Sequence, residues 1–169
     1  MPVTSIRVIT VEWGDCDPAG IVFYPRYFAW FDACTHGLFA HAGLPKPEIL
    51  RRYGTIGFPM VDTRARFLIP SEFGDELVVE TEAGGFGRSS FEVCHRLLKA
   101  GTLAVEGYEK RVWTGRDPDD LSRLKSRPIP PPNATPSSSR HRSRTASGSC
   151  PSANSTAVTA SERAAASVA

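Results

Sequence analysis

Apolar and polar positions change period several times along the chain. Residues 5–13 carry the β-branched Ile6, Val8, Ile9 and Val11 and end in Trp13, which suits a strand. Over 25–42, Tyr27, Trp30, Phe31, Cys34, Leu38 and Ala42 recur at helical spacing, and Phe28 and Phe39 add apolar surface outside that stripe. Pro25 fits a first helical turn, where a missing N–H costs nothing, and Gly43 and Pro45 end the run. A helix apolar on most sides is one that other structure wraps. Residues 46–57 read as a short helical turn over 47–51 followed by a glycine-bounded loop. From there the period falls to two. Val61, Thr63, Ala65, Phe67 and Ile69 alternate with Asp62, Arg64 and Arg66, and Leu77, Val79, Thr81 and Ala83 alternate with Glu76, Glu80 and Glu82. Phe91, Val93 and Leu97 mark a further strand, and 102–114 a long one of less regular alternation through Val105, Tyr108, Val112 and Trp113. Residues 116–127 read as a polar turn, with one helical turn at most. The order is a strand, a long buried helix, then four strands joined by tight turns, which form antiparallel pairs. One helix against a five-stranded antiparallel sheet is an α+β layer architecture.

Composition divides the chain. Residues 133–169 contain no Phe, Trp, Tyr, Leu or Ile, and Ser, Ala and Thr fill 23 of those 37 positions. Such a segment buries too little apolar surface to offset its ordering entropy. The expected organisation is therefore one domain over 1–132 and a disordered tail over 133–169. That tail holds four arginines and one glutamate, so the net charge of +2 comes from it and the domain is close to neutral. A basic nucleic-acid-binding surface is not expected, and Arg140-His141-Arg142-Ser143-Arg144 reads as solvated tail. No run reaches the ~20 apolar residues of a membrane span. The first residues read as a strand, not a leader, so the expected location is cytoplasmic.

The chemistry concentrates before the helix, in Gly14-Asp15-Cys16-Asp17-Pro18-Ala19-Gly20, followed by Ile21-Val22-Phe23-Tyr24-Pro25. Pro18 and Gly20 force an irregular backbone. A carboxylate on this loop is brought to the open N-terminal end of a helix, whose unpaired N–H groups stabilise a developing oxyanion. Acyl transfer is the chemistry such a pairing suggests. Of the two acids, Asp15 reads as structural, satisfying loop N–H groups. Asp17 is the candidate catalyst, against a plain reading as an Asx turn before Pro18. Cys16 reads as packing. His36 and His41 lie five apart and do not share a helix face, so no metal site is expected.

This motif and the helix and strand order resemble the hot-dog fold, and most closely the 4-hydroxybenzoyl-CoA thioesterase family, over about residues 5–130. Related acyl-CoA thioesterases often carry a histidine after the tyrosine, where this chain has Pro25, which favours the hydroxybenzoyl branch. The resemblance implies an antiparallel five-stranded sheet wrapped around one long central helix. It implies hydrolysis of an aromatic acyl-CoA thioester, most specifically 4-hydroxybenzoyl-CoA. Asp17 would be nucleophile or general base, and the backbone N–H of Tyr24 would polarise the carbonyl. Tyr24, Tyr27 and Trp30 would wall the acyl pocket, with Asp32 orienting a ring hydroxyl or else standing as an exposed helix carboxylate. Arg88, Ser89 and Ser90 would hold CoA, although Arg-Ser-Ser after glycines is also ordinary turn chemistry. No cofactor is implied beyond the CoA of the substrate. A homo-oligomer, dimer or tetramer, is expected by family analogy. The alternatives are a thioesterase for other acyl-CoA or acyl-carrier-protein esters, and a non-hydrolysing acyl-CoA binding module.

Overall fold

The computed structural model describes residues 3–131. Strand β1 spans Thr4–Thr10, helix α1 Pro25–His41, helix α2 Lys46–Tyr53, and strands β2 to β5 span Met60–Phe67, Glu76–Gly84, Ser90–Lys99 and Thr102–Val112. Two short strands follow, β6 at Thr114–Arg116 and β7 at Leu124–Ser126. The five long strands make one sheet in the order β1-β3-β4-β5-β2, antiparallel throughout. The expected α+β arrangement is therefore present, with β1 and β2 at the two edges.

Alternation decides which face of the sheet meets α1. Leu77, Val79 and Thr81 on β3 are buried, as are Phe91, Val93, His95 and Leu97 on β4. On α1 the buried residues are Tyr27, Phe31, Cys34, Thr35 and Leu38, four of them on the stripe read from sequence. Phe31 is fully buried and lies so close to β5 that a Cβ on Gly107 would come within 2.4 Å of its ring. Glycine at 107 therefore serves a close approach. The core has two parts. One lies under the first half of α1, from Ile9 and Val11 to Val105. The other joins Ile49 of α2 to Phe58, Phe91, Val93 and Trp113, and Phe39 packs against it, 4.8 Å from the Phe58 ring. Burying each such aliphatic or aromatic side chain is worth about 1.5–3 kcal/mol.

Three expectations change. The strand expected over 5–13 stops at Thr10, and Trp13 opens a 3-10 turn, Trp13–Asp15, with 77% of its surface exposed. The helical turn expected at 47–51 is the eight-residue α2, closed by Gly54 in the left-handed region. The polar connection at 116–127 is not helical: β6 and β7 pair there as a two-stranded ribbon, Thr114 opposite Ser126. Asp117 and Asp120 spend their carboxylates on turn N–H groups at Asp119 and Ser122, the local bonding that competes with helix. The disorder expected of 133–169 lies outside the described residues.

Candidate functional site

The loop before α1 is a tight hairpin. Phe23 N–H donates to Asp15 O at 2.8 Å, Cys16 bridges Val22, and Asp17 N–H donates to Ile21 O at 2.9 Å. Gly20, at φ +82°, lets the chain reverse and donates its N–H to Asp17 O. Backbone bonds pin this hairpin to the β2–β3 connection, Val22 N–H to Ser71 O at 2.8 Å and Ile21 bridging Glu72. Arg26, in the first turn of α1, ties down its other side: Nη2 donates to Gly14 O at 2.8 Å and Nε stands 3.3 Å from Asp15 Oδ1. The second oxygen of Asp15 accepts from Glu12 N–H at 2.9 Å, so Asp15 is structural, as read from sequence.

Asp17 is half-buried at the tip of this hairpin. Its Oδ1 accepts from Ala19 N–H at 2.8 Å, which is the Asx turn considered above. That bond uses one oxygen, and Oδ2 makes no hydrogen bond among the described residues. The turn and a chemical role are thus compatible. The chain then runs directly into α1. Tyr24 is the N-cap, with no side-chain cap, and Pro25 is the first helical residue. Among the described residues nothing accepts from the Tyr24 N–H, the last amide before that proline. The Tyr24 ring is 61% exposed and rests edge-on against Phe23 at 5.4 Å.

The other sequence candidates are not all gathered here. Tyr27 is 3% exposed and belongs to the core, with its ring 5.2 Å from those of Trp30 and Phe67. In the single chain its ring is therefore part of the packed cluster under the first turns of α1. Trp30 is partly buried against the same cluster. Asp32 is half-exposed and paired, with Oδ1 2.7 Å from Arg111 Nη2 and Oδ2 3.4 Å from His36 Nδ1. Arg88, Ser89 and Ser90 lie at the far end of the sheet. Backbone bonds fix them, Arg88 O to Ile129 N–H and Ser89 O to Trp113 N–H, while the Arg88 side chain is exposed and makes no ion pair among the described residues. The opposite end of β4, at Lys99, binds Pro70 O and Asp75 beside the hairpin. The nine steps of β4 between those ends cover about 30 Å. Within one protomer, then, Asp17 and Arg88 are not neighbours.

Sequence reasoning missed a buried polar network under the middle of α1. Glu109 has no exposed surface. It accepts from Thr35 Oγ1 at 2.7 Å and, through both oxygens, from Arg111 at 2.9 Å. His95 is stacked on Phe31 at 4.6 Å, shares a 3.0 Å hydrogen bond with Thr81, and has Nε2 3.5 Å from Glu109. Burial alone would raise the Glu109 carboxyl, but His95, Arg111 and Thr35 hold it below the ordinary glutamate range. Burial, the largest influence on His36, lowers its affinity for protons despite the nearby Asp32. The signal was present in the sequence: Gly107, Glu109 and Arg111 share the inward parity of Val105. An irregularity between Leu97 and Leu98, opposite consecutive buried residues Ala104 and Val105, hid it by shifting the alternation. Among the described residues no His, Cys, Asp and Glu group could hold a metal ion, and no helix is long and apolar enough to cross a membrane.

Comparison with known proteins agrees with this architecture. The thioesterase-like superfamily model matches residues 11–135. The 4-hydroxybenzoyl-CoA thioesterase of Pseudomonas sp. (strain CBS-3) is 33% identical over 122 residues, covering 68% of this chain and 86% of that protein. A 1,4-dihydroxy-2-naphthoyl-CoA hydrolase of Synechococcus sp. (strain WH7803) is 31% identical over 60% of this chain and 71% of that protein. The solved structure of a gentisyl-coenzyme A thioesterase superposes with a TM-score of 0.65 at 34% identity, covering 75% of this chain and 96% of that one. With a helix-bearing antiparallel sheet of the hot-dog type and a family match across nearly all of its described residues, the chain belongs to the thioesterase-like superfamily.

Proposed function

We propose that this protein hydrolyses an aromatic acyl-CoA thioester, with 4-hydroxybenzoyl-CoA as the first substrate to test. The observation that carries this reading is the hairpin: it holds Asp17 with one oxygen tied down and the other unclaimed, and it leads without interruption into the unpaired Tyr24 amide at the start of α1. Asp17 is the catalytic carboxylate and the Tyr24 N–H the oxyanion donor. As nucleophile, the carboxylate would bond to the carbonyl carbon while the C–S bond breaks, releasing CoA as thiolate and leaving an anhydride for water to cleave. As general base, it would take a proton from the attacking water instead. A thioester is activated enough for a weakly basic carboxylate held close to suffice.

Trp30 and Asp32 lie further along α1 and are assigned to the acyl group, with Tyr27 behind them. The CoA phosphates are assigned to Arg88, with Ser89 and Ser90 alongside, where a bidentate guanidinium suits a phosphate. The 30 Å separation along the sheet favours Arg88 of a second protomer, so we expect a dimer or a higher oligomer with composite sites. The named relatives act on benzoyl- and naphthoyl-type thioesters, which supports an aromatic acyl group. Thiol release measured across 4-hydroxybenzoyl-, benzoyl-, 1,4-dihydroxy-2-naphthoyl- and short aliphatic CoA esters tests the reading. We expect the aromatic esters to lead by at least ~100-fold in kcat/KM. Equal or greater turnover of the aliphatic esters would contradict it, and tight CoA-ester binding without thiol release would make the protein a binding module.

A further inference from the structure

The hairpin that carries Asp17 does not stand alone; it hangs on the connection between β2 and β3. Val22 N–H donates to Ser71 O at 2.8 Å, Ile21 bridges Glu72, and Asp17 N–H donates in turn to Ile21 O at 2.9 Å. The Asp17 backbone is therefore placed only as firmly as Ser71 and Glu72 are. Irregular connections are the low-stability part of a fold unless something ties them. Backbone bonds hold the two flanks of this one, Ile69 N–H to Ala104 O at 3.1 Å and Val11 N–H to Asp75 O at 2.8 Å. Lys99, the last residue of β4, spans the stretch between. Its Nζ stands 2.6 Å from Asp75 Oδ2 and donates to Pro70 O at 3.2 Å. Asp75 Oδ2 also accepts from Glu72 N–H at 2.7 Å. One ammonium thus joins the two ends of the turn, with Ser71 and Glu72 between them.

Most exposed ion pairs contribute little, because water competes and two long side chains must be ordered. This pair differs in burial and in what it joins. Lys99 and Asp75 are both half-buried, whereas Arg96, paired with Glu80 at 2.8 Å, is exposed. Arg96 and Glu80 sit opposite each other on neighbouring strands that the sheet already holds together. Lys99 and Asp75 instead fasten a loop to a strand end. Burial alone would raise the Asp75 carboxyl, but Lys99 and the Glu72 N–H hold it below the ordinary aspartate range. An ammonium carries three donors, enough for a carboxylate and a carbonyl together. Such remote anchoring matters to chemistry because a shift of about 1 Å in a reacting group can cost about 100-fold in rate.

We propose that Lys99 is a positioning residue for the hydrolysis: through Asp75 and Pro70 it sets the turn from which the Asp17 hairpin hangs, and so holds the carboxylate against the thioester carbonyl. This rests on the thioesterase reading given above. The test measures kcat and KM for 4-hydroxybenzoyl-CoA in the full chain and in Lys99→Met, which keeps a long side chain and removes the ammonium. We expect kcat to fall about 10- to 100-fold with KM little changed. In an Asp17→Asn background the same substitution should leave the residual rate as it was, since no carboxylate remains to be placed. A purely structural role would lower the thermal midpoint without lowering kcat, or would slow both backgrounds alike, and either result overturns the proposal. Arg96→Met removes the exposed pair of the same strand and should keep the parent kcat; an equal loss there also overturns it. If Lys99→Met does not fold, Asp75→Asn decides: asparagine still accepts from Glu72 N–H but lacks the charge that holds Lys99, and an unchanged kcat is equally fatal. Hydrolysis lost in Asp17→Asn but kept in Lys99→Met removes this inference alone. Absence of turnover by the parent with every ester removes the thioesterase reading itself, and this inference with it.

Discussion

Glu109 is a fully buried carboxylate whose ionised state depends on its neighbours. Taking a charge out of water is expensive, and His95, the fork of Arg111 and the hydroxyl of Thr35 offset it. Removing one partner of such a pair costs more than the pair contributes, because the other is left stranded. Glu109→Gln should therefore destabilise the protein by about 3 kcal/mol, read as a lower urea midpoint at unchanged slope. A midpoint within error of the parent would mean that water reaches Arg111. Around Asp17 the balance differs. Its single bond to Ala19 N–H orients a half-exposed group and contributes little to folding, so changes there should register in turnover and not in stability.

At the scale of elements, α1 joins the hairpin to the sheet. Its buried stripe fixes it on β1 and β3, and the ties from Arg26 to Gly14 and Asp15 fix the hairpin on it. Arg26→Ala should loosen that hairpin without unfolding α1. We expect kcat to fall about tenfold, since small misplacement of a reacting group is costly, with the far-ultraviolet spectrum unchanged. Full activity would show that the bonds to Ser71 and Glu72 hold the loop unaided. Helix and strands were legible because period and punctuation agree: Pro25 and Gly43 bracket α1, and Leu77, Val79 and Thr81 alternate against glutamates. The β6–β7 ribbon was not legible, because three-residue strands carry too little period and Asp117 and Asp120 look like any polar turn. The Asp17 loop was readable from residue type alone. The Glu109–Arg111 pair was hidden by the shifted alternation at Ala104 and Val105, and the distance from Arg88 to Asp17 is a property of the folded sheet that no local pattern carries.

For the whole molecule, stability should follow pH in a defined direction. His36 binds its proton less readily in the fold than its ordinary value of 6.5 allows, chiefly through burial. The unfolded chain therefore takes up more protons as pH drops below that value, and stability declines. Glu109 acts in the same sense lower down: its carboxyl, depressed from 4.5, contributes stability above that value which is lost as pH falls through its folded pKa. Thermal midpoints should thus decrease as pH drops below 6.5, through His36, and decrease further below 4.5, through Glu109; a profile flat in either window would contradict the assignment of that group. The assembly matters as well. The edge strand β2 exposes Met60, Val61 and Phe67, and an open edge of that kind is suited to pairing with another chain. Sedimentation should show a dimer or larger species, as composite sites require.

The measurement closest to the centre of the account is the turnover of 4-hydroxybenzoyl-CoA by Asp17→Asn, with binding of the same ester followed in parallel by calorimetry. The account predicts that hydrolysis falls by about three orders of magnitude or more while the ester still binds and the thermal midpoint is essentially unmoved. Hydrolysis within a few-fold of the parent protein would show that the carboxylate at 17 is no more than the acceptor of an Asx turn.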